Sequence, residues 1–263
     1  MMQNFKLHIG ATLFLAAAAC FPSKAPAADG TVLINQNTAI NGLPGCAKSP
    51  SALITICQSG SYRLSGNVTV ASDNLDAILV TNNANVTLDL NGFSVVGPNS
   101  CSTSTIIIGS GEFIFVGCTD QNAGTGIHGD GLTTVAVYNG IVKGFGIGVL
   151  VQGGTVENVT ITQMSGIGLN IASGTARSNH VSTCGGGGIQ AQSSVVTDNT
   201  VFKNGTMGIN TVQSSVINNV IETNAGPGIQ GVCPSTAIGN TVHKSDGGIT
   251  LSADCTVVNN SVL

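Results

Sequence analysis

The chain has 263 residues, a net charge of −4 and only 8% charged residues, whereas an ordinary globular domain carries about 25%. Its 36 glycines follow no three-residue period and its hydrophobic share is 42%, which excludes collagen and an intrinsically disordered chain. The negative net charge gives phosphates nothing to bind, so we expect no nucleic-acid partner. These figures predict one large domain of apolar, Gly- and Asn-rich sequence.

The first 27 residues predict a secretory signal peptide. A positively charged start precedes the apolar run from Leu7 to Phe21, and Ala25-Pro26-Ala27 has the small-x-small pattern of a cleavage site. A lipoprotein signal with Cys20 as the lipidated residue is the alternative. Because no later run is apolar enough to span a membrane, we expect an exported protein, secreted or periplasmic, with its domain over residues 28–263.

The cysteines beyond the signal predict three disulfides, which suits an oxidising compartment. Cys184 is left over, and we interpret it as a buried thiol that packs like a small hydrophobic side chain. The chain has no C-x-x-C spacing and no histidine near a cysteine pair, so we expect no metal site. The predicted pairs are Cys46–Cys57, Cys101–Cys118 and Cys233–Cys255.

A 20-residue repeat is the strongest pattern in the sequence. Glycines recur at this spacing, each followed by an apolar residue, and the alternation of apolar and polar residues after them indicates strands. Asparagines recur in the same phase, with one residue inserted before the fourth of them. The glycines are Gly148, Gly168, Gly188, Gly208, Gly228 and Gly248, and the asparagines are Asn179, Asn199, Asn219, Asn240 and Asn260.

This repeat predicts a parallel β-helix. A unit with two or three short strands cannot close a core alone, but it can coil once and stack on its neighbour about 4.8 Å away. Stacked asparagines would then satisfy backbone groups at corners, and glycine would supply positive φ or a missing side chain. We expect an N-terminal cap over residues 28–57 and a disulfide-linked side loop over residues 98–118. The sequence ends in mid-repeat at Leu263, which would leave the edge of the last coil exposed. We therefore expect either that a partner covers this end or that the sequence is a truncated product, and we expect a monomer unless the last coil pairs.

The Gly-Ile and Val-x-x-Asn-x-Val repeats, together with Gly60–Leu64 and Leu88–Phe93, resemble the right-handed parallel β-helix proteins of the pectate lyase-like superfamily. The similarity is to exported bacterial members and covers roughly residues 55–263. It implies an all-β fold, a right-handed single-stranded parallel β-helix with coils of about 20 residues. It does not imply one activity, because the superfamily includes lyases, hydrolases, esterases, epimerases and adhesins.

Catalysis would need groups that these repeats barely supply. A glycosidase needs two carboxylates about 5 to 9.5 Å apart, and no two acids of the regular coils share a column. A pectate lyase would need clustered carboxylates for calcium and a base that abstracts a proton. The candidate catalytic residues are Glu222 and His243, which share a column, Lys203 and Lys244, which share the next column, and Arg177, which shares a column with Glu157 and is interpreted as its ion-pair partner.

The exposed face of the first strand of each repeat carries neutral amides. They predict either a solvated amide ladder or a groove that binds sugar, although the absence of Trp leaves few aromatic platforms. His128 and Asp130 form a further small polar group that resembles a calcium-binding repeat only loosely. The candidate binding residues are Asn170, Gln190, Asn210 and Gln230.

From these observations we expect a non-catalytic extracellular or surface scaffold that binds a polysaccharide or a surface protein. No cofactor is expected for such a scaffold. The alternative is a polysaccharide lyase or hydrolase of the pectate lyase-like type, which would require calcium only if it were a lyase.

Overall fold

The polypeptide winds into a parallel β-solenoid, as the repeat predicts. The structure, a computed structural model, describes residues 30–108, 111–119 and 123–263, so the predicted signal peptide lies outside the described residues. Strands one coil apart pair in parallel with a 20-residue offset through the regular part, as Leu169 pairs with Ile189. The predicted all-β fold is confirmed, and the helix found in the described ranges is the short segment Gln36–Asn41.

Two parallel sheets run along the solenoid. Sheet 1 has nine strands and sheet 2 has 17, so each regular coil gives one strand to sheet 1 and two to sheet 2. Sheet 1 consists of Ala52–Ile56, Asp76–Val80, Thr125–Gly129, Ile147–Gln152, Leu169–Ala172, Ile189–Gln192, Ile209–Val212, Ile229–Val232 and Ile249–Leu251. Sheet 2 consists of Val32–Ile34, Gly60–Leu64, Val68–Thr69, Asn85–Asp89, Ser94–Val96, Thr134–Lys143, Thr155–Thr162, Thr175–Arg177, His180–Ser182, Val195–Thr197, Thr200–Phe202, Ser215–Ile217, Val220–Glu222, Thr236–Ile238, Thr241–His243, Thr256–Val258 and Ser261–Val262.

The interior is filled by columns of aliphatic side chains, one from each coil. In sheet 1 Leu169, Ile189 and Ile209 share one column and are buried, and Val181 and Val201 close the core from sheet 2. Burying one such side chain contributes about 1.5–3 kcal/mol. Because a single coil buries these groups only when another coil covers it, the core forms by stacking.

The recurring glycines are required by close approach between coils. A Cβ on Gly188 would lie 2.7 Å from the carbonyl oxygen of Gly208 in the next coil, and the φ of Gly188 is not positive. Positive φ falls instead on polar corner residues such as Ser178 and Asp198, with φ of 55° and 58°. Of the two roles expected for this glycine column, the missing side chain is the one used, except at Gly248 where φ is 54°.

The predicted asparagine column forms a hydrogen-bonded ladder at the corner between the two strand rows of sheet 2. The side-chain oxygen of Asn219 accepts the backbone N–H of Asn199 at 2.9 Å. Its Nδ2 donates to the carbonyl oxygen of Val196 at 2.9 Å and to Oδ1 of Asn240 at 3.0 Å. Buried polar groups at this corner are therefore satisfied by the coil above or below.

The other two corners carry similar ladders that the sequence analysis did not identify. At each step a side-chain oxygen accepts a backbone N–H from the preceding coil, as Ser214 Oγ does from Ser194 at 3.1 Å. All three corners of the regular coil are thus held by side chains. The two additional ladders are Ser194–Ser214–Ser235 and Asn204–Asn224–Ser245.

Two segments depart from the regular coil. Val32–Ile34 and Ala52–Ile56 already pair with solenoid strands, so the sheets begin within the range predicted for the cap. The predicted side loop is an antiparallel hairpin formed by Cys101–Ile108 and Gly111–Cys118. The structure joins Cys46 to Cys57, Cys101 to Cys118 and Cys233 to Cys255, with Cys184 left as a buried free thiol.

Removing one rung of the asparagine ladder should destabilise the solenoid. Asn219→Ala leaves the Asn199 N–H and the Val196 carbonyl without this partner, and we expect the free energy of unfolding to fall by about 3 kcal/mol. The control Asn210→Ala makes the same change on the solvent face of sheet 1 and should alter stability by less than about 0.5 kcal/mol. Urea unfolding of the three proteins measures both values, and equal losses would contradict the role of the ladder.

A buried hydroxyl offers the opposite test. Thr211 is 0% exposed, and its Oγ1 finds no hydrogen-bond partner among the described residues. Because valine has the same shape without the hydroxyl, Thr211→Val should raise the free energy of unfolding by about 1 kcal/mol. Thr211→Ser keeps the hydroxyl and loses a methyl group, so it should be less stable than the parent. Thermal melts that rank valine below threonine would refute this reasoning.

Candidate functional site

The predicted amide residues form one straight column on the outer face of sheet 1. Asn170 pairs with Gln190, Gln190 with Asn210, and Asn210 with Gln230. The glutamines are exposed and the asparagines are half-buried. At about 4.8 Å per coil, the four side chains span about 14 Å, and each presents a donor and an acceptor. This surface, the amide column, suits an extended ligand that bears hydroxyl groups.

Toward the N-terminal end of the solenoid the same column contains a histidine. Asn170 is in register with Leu150, and Leu150 with His128. His128 is therefore on a strand of sheet 1, two coils from the first amide. Leu79 lies on its other side in the register and is nearly buried. The column thus continues from neutral amides to one titratable group between two leucines.

His128 is hydrogen-bonded to Asp76, which lies in the preceding coil. The distance from His128 Nδ1 to Asp76 Oδ2 is 2.7 Å, and Asp76 Oδ1 accepts the backbone N–H of Thr125 at 2.7 Å. Both side chains are mostly sheltered, with 29% of the histidine and 15% of the aspartate exposed. The carboxylate is held at both oxygens, and it fixes the orientation of the ring.

The carboxylate also makes the histidine more basic. The hydrogen bond that the ring donates to Asp76 raises the pKa of His128 above its usual 6.5, and the negative charges of Asp76 and Asp130 add to this effect. Partial burial opposes the rise, because it penalises the charged imidazolium, but the hydrogen bond has the larger influence.

This pair corrects the sequence analysis, which grouped His128 with Asp130 at a corner. Its hydrogen-bonding partner is Asp76, 52 residues earlier in the sequence. The hairpin between Cys101 and Cys118 lies in the intervening sequence and breaks the 20-residue phase. A search for equal phases therefore could not align the two side chains. The alternation of polar His128 with buried Ile127 was the available signal that His128 lies on a strand.

The predicted catalytic candidates, which did not include His128, lie on sheet 2 and its corner. Glu222 and His243 are in register, and His243 Nδ1 is 3.6 Å from Glu222 Oε1. Their side chains are 52% and 38% exposed, so this is a surface ion pair that contributes little to stability. Lys203 and Lys244 occupy equivalent corner positions two coils apart, with φ of 54° and 50°. The column of Glu222 and His243 and the column of Lys203 and Lys244 are therefore present as predicted. Glu222, however, is far more exposed than Asp76.

Arg177 contacts Glu157, with 2.7 Å between Nη2 and Oε2, as its shared column suggested. The same column of sheet 2 also contains Asp89, two coils before Glu157, so two acids do share a column once the irregular coils are included. Asp89 is in turn bound by Arg63 at 3.1 Å. Each of these carboxylates is already engaged by an arginine, so neither is free to serve a glycosidase as its acid or its base.

Two further predictions concern thiols and metals. Burial raises the pKa of Cys184 to about 12, so this thiol is not a nucleophile near neutral pH. Within residues 30–108, 111–119 and 123–263, His, Cys, Asp and Glu form no group of three that could hold a metal ion. The same ranges contain no helix of the length and hydrophobicity that a membrane crossing requires.

Comparison with known proteins supports the fold. Residues 125–262 match the sequence profile of the family described as right handed beta helix region. The catalytic domain of Agl-KA has the same fold, with a TM-score of 0.51 and 18% identity over 80% of this chain and 48% of that one, so this chain spans about half of its length. An alginate lyase from Paenibacillus sp. str. FPU-7 gives a TM-score of 0.46 with 12% identity, covering 88% of this chain and 98% of the other. Pectate lyase Pel9A gives 0.40 with 13% identity, covering 80% and 68%. No curated protein sequence matches this chain.

The raised pKa of His128 has a consequence for stability. Because the pKa of His128 is higher in the folded protein than the 6.5 of the unfolded chain, protonation of the ring stabilises the fold. This stabilisation is complete below pH 6.5 and is lost as the pH rises through the pKa of the folded protein. The difference in unfolding free energy between the parent and His128→Gln should therefore shrink as pH rises through that range. The control is His180→Gln, which removes an exposed histidine of sheet 2 that has no carboxylate partner among the described residues. Nuclear magnetic resonance titration of the ring should place the His128 pKa above 6.5 in the parent and lower in Asp76→Asn.

Proposed function

The chain belongs to the right handed beta helix family, and from this premise we propose that it is an exported scaffold whose amide column binds an extended, uncharged glycan. The observation that carries this proposal is the register of Asn170, Gln190, Asn210 and Gln230 across four adjacent coils. Side-chain amides both donate and accept hydrogen bonds, as sugar hydroxyls do. A regular column of them matches a polymer whose units repeat.

The charge of sheet 1 favours an uncharged glycan over an acidic one. The nine strands of this sheet, all within the described residues, contain one carboxylate, Asp76, and neither lysine nor arginine. A polyuronate would bring one negative charge per unit to a face whose strands carry no lysine or arginine to meet it. A polymer with hydroxyl groups alone meets no such penalty.

The amide column itself is a binding surface and not a catalytic one, because amide side chains neither take up nor release protons near neutral pH. The alternative function is that of a polysaccharide lyase or hydrolase, for which the His128–Asp76 pair would supply one group that transfers a proton but no second one. Calcium, which the lyase alternative would require, does not fit this face. Its one carboxylate, Asp76, is already bound to His128 and to the Thr125 N–H.

Export to an oxidising compartment is the third part of the proposal. The predicted signal peptide motivates it, and the three disulfides of the described residues support it. Of these, Cys233–Cys255 joins the last two coils, and Cys101–Cys118 closes the base of the hairpin. A protein secreted with its signal removed would place the amide column in contact with extracellular or periplasmic polysaccharide.

The proposal is tested by affinity electrophoresis in gels that contain glucomannan, xylan, mannan, polygalacturonate or alginate. We expect retardation by at least one of the neutral polymers and by neither acidic one. The double variant Gln190→Ala/Asn210→Ala should weaken the affinity by about 30-fold, because each lost hydrogen bond is worth about 1 kcal/mol.

The matched control is Thr200→Ala/Thr241→Ala, which truncates two side chains of one outer column on sheet 2. Its retardation should equal that of the parent. Retardation by the acidic polymers alone, or equal weakening by both double variants, would rule out the amide column as the site.

A further inference from the structure

Two coils beyond the amide column, in the same register, lies a group that can move a proton, and we propose that His128 is a general base that hydrolyses ester substituents on the glycan bound along this column. The inference rests on the proposed function, because the column is what brings the substrate to the histidine. It adds an activity, a reacting atom and a substrate class: neutral polysaccharide that carries O-acyl groups.

The geometry defines which nitrogen reacts. Nδ1 of His128 is 2.7 Å from Asp76 Oδ2, so Nδ1 carries the proton that this hydrogen bond needs. Nε2 makes no hydrogen bond to any described residue, and 29% of the side chain is exposed. The free electron pair of Nε2 is therefore available at the surface of sheet 1. The Thr125 N–H holds the other oxygen of Asp76 at 2.7 Å, which keeps the pair aligned.

The groups around the His128 ring raise its basicity and shield much of it from solvent. Leu79 and Leu150 are its neighbours in the column, one in each adjacent coil. The charged groups that act on the ring are Asp76 in the preceding coil and Asp130 two residues further along. Both are negative, so they stabilise the imidazolium that forms when Nε2 accepts a proton.

The same surroundings argue against the two other common reactions of polysaccharides. Elimination from a uronate builds negative charge beside a carboxylate, and sheet 1 has neither lysine nor arginine on its described strands to balance that charge. Hydrolysis of a glycosidic bond needs two carboxyl groups, one of which donates a proton. Asp76 is the one carboxylate of the sheet, and both of its oxygens are occupied.

Ester hydrolysis needs only one group that first takes and then returns a proton. Nε2 of His128 removes a proton from a water molecule as the water oxygen forms a bond to the acyl carbon. The bond between the acyl carbon and the sugar oxygen then breaks, and the imidazolium gives its proton to that oxygen. One water is consumed, and one carboxylic acid and one free sugar hydroxyl are produced. Asp76 acts as a positioning residue, since it holds the ring and its charge throughout.

The test measures acetate released from partially O-acetylated glucomannan and xylan by the full chain. We expect release that increases with pH through the His128 pKa, because the base must be neutral to react. His128→Asn should lower the rate at least 100-fold, the usual contribution of a general base. Asp76→Asn should keep part of the activity and move the rising limb to lower pH, a shift that a purely structural defect would not cause. His180→Asn, on sheet 2, is the control and should behave as the parent does.

Binding measured in parallel separates this inference from the proposed function. The His128→Asn and His128→Gln variants should still be retarded in gels that contain the neutral polymer, and their thermal melts establish that they are folded. Retention of the glycan without acetate release by the parent would overturn the hydrolysis and leave the binding scaffold intact. Acetate release that survives in both folded histidine variants would also overturn it. Release that is lost with His128 but unaffected by Gln190→Ala/Asn210→Ala would keep the base and refute the amide column.

Discussion

Parallel backbone pairing at a fixed offset is the constraint on which the rest of this structure depends. In the coil where Leu169 is opposite Ile189, the residues of all three strands are opposite their counterparts 20 positions later. Any property that the sequence repeats at that period becomes a continuous column in space. Apolar columns fill the core, and polar columns at the corners must satisfy one another, because these groups are buried away from solvent.

The same register gives the two sheets different chemical surfaces. Sheet 1 presents amides and one histidine on its outer face, and its strands lack lysine and arginine. Sheet 2 presents hydroxyl groups and ion pairs, including Arg63–Asp89 and Arg177–Glu157. A ligand that carries hydroxyl groups finds unpaired donors and acceptors on the first surface, whereas much of the charge on the second is already neutralised within the protein. This asymmetry is why we propose sheet 1 as the binding face.

The fold was readable from the sequence where the phase is regular, and the site was readable only in part. The asparagine ladder and the amide column follow from equal spacing, which is why Asn219 and Gln190 were assigned correctly to a corner and a face. The His128–Asp76 pair was not predicted, because the hairpin separates the two coils and the register offset becomes 49 residues instead of 20. The role of Gly188 was ambiguous for another reason: sequence gives no distance between coils, and that distance decides whether a side chain fits.

One small irregularity shows how the solenoid accommodates change. Val212 pairs with Val232 at an offset of 20, whereas Ser215 pairs with Thr236 at 21, so the corner near Cys233 contains one additional residue. The offset is still 21 where Val220 pairs with Thr241, and it is 20 again where Ile229 pairs with Ile249. The corner between the strands Thr241–His243 and Ile249–Leu251 has therefore lost one residue. Strand pairing therefore sets the architecture, while the length of each corner is free to vary. The natural hairpin of residues 101–118 uses this freedom on a larger scale. For protein engineering, the corners are therefore positions at which foreign loops can be inserted, spaced along the solenoid by the distance of about 4.8 Å between coils.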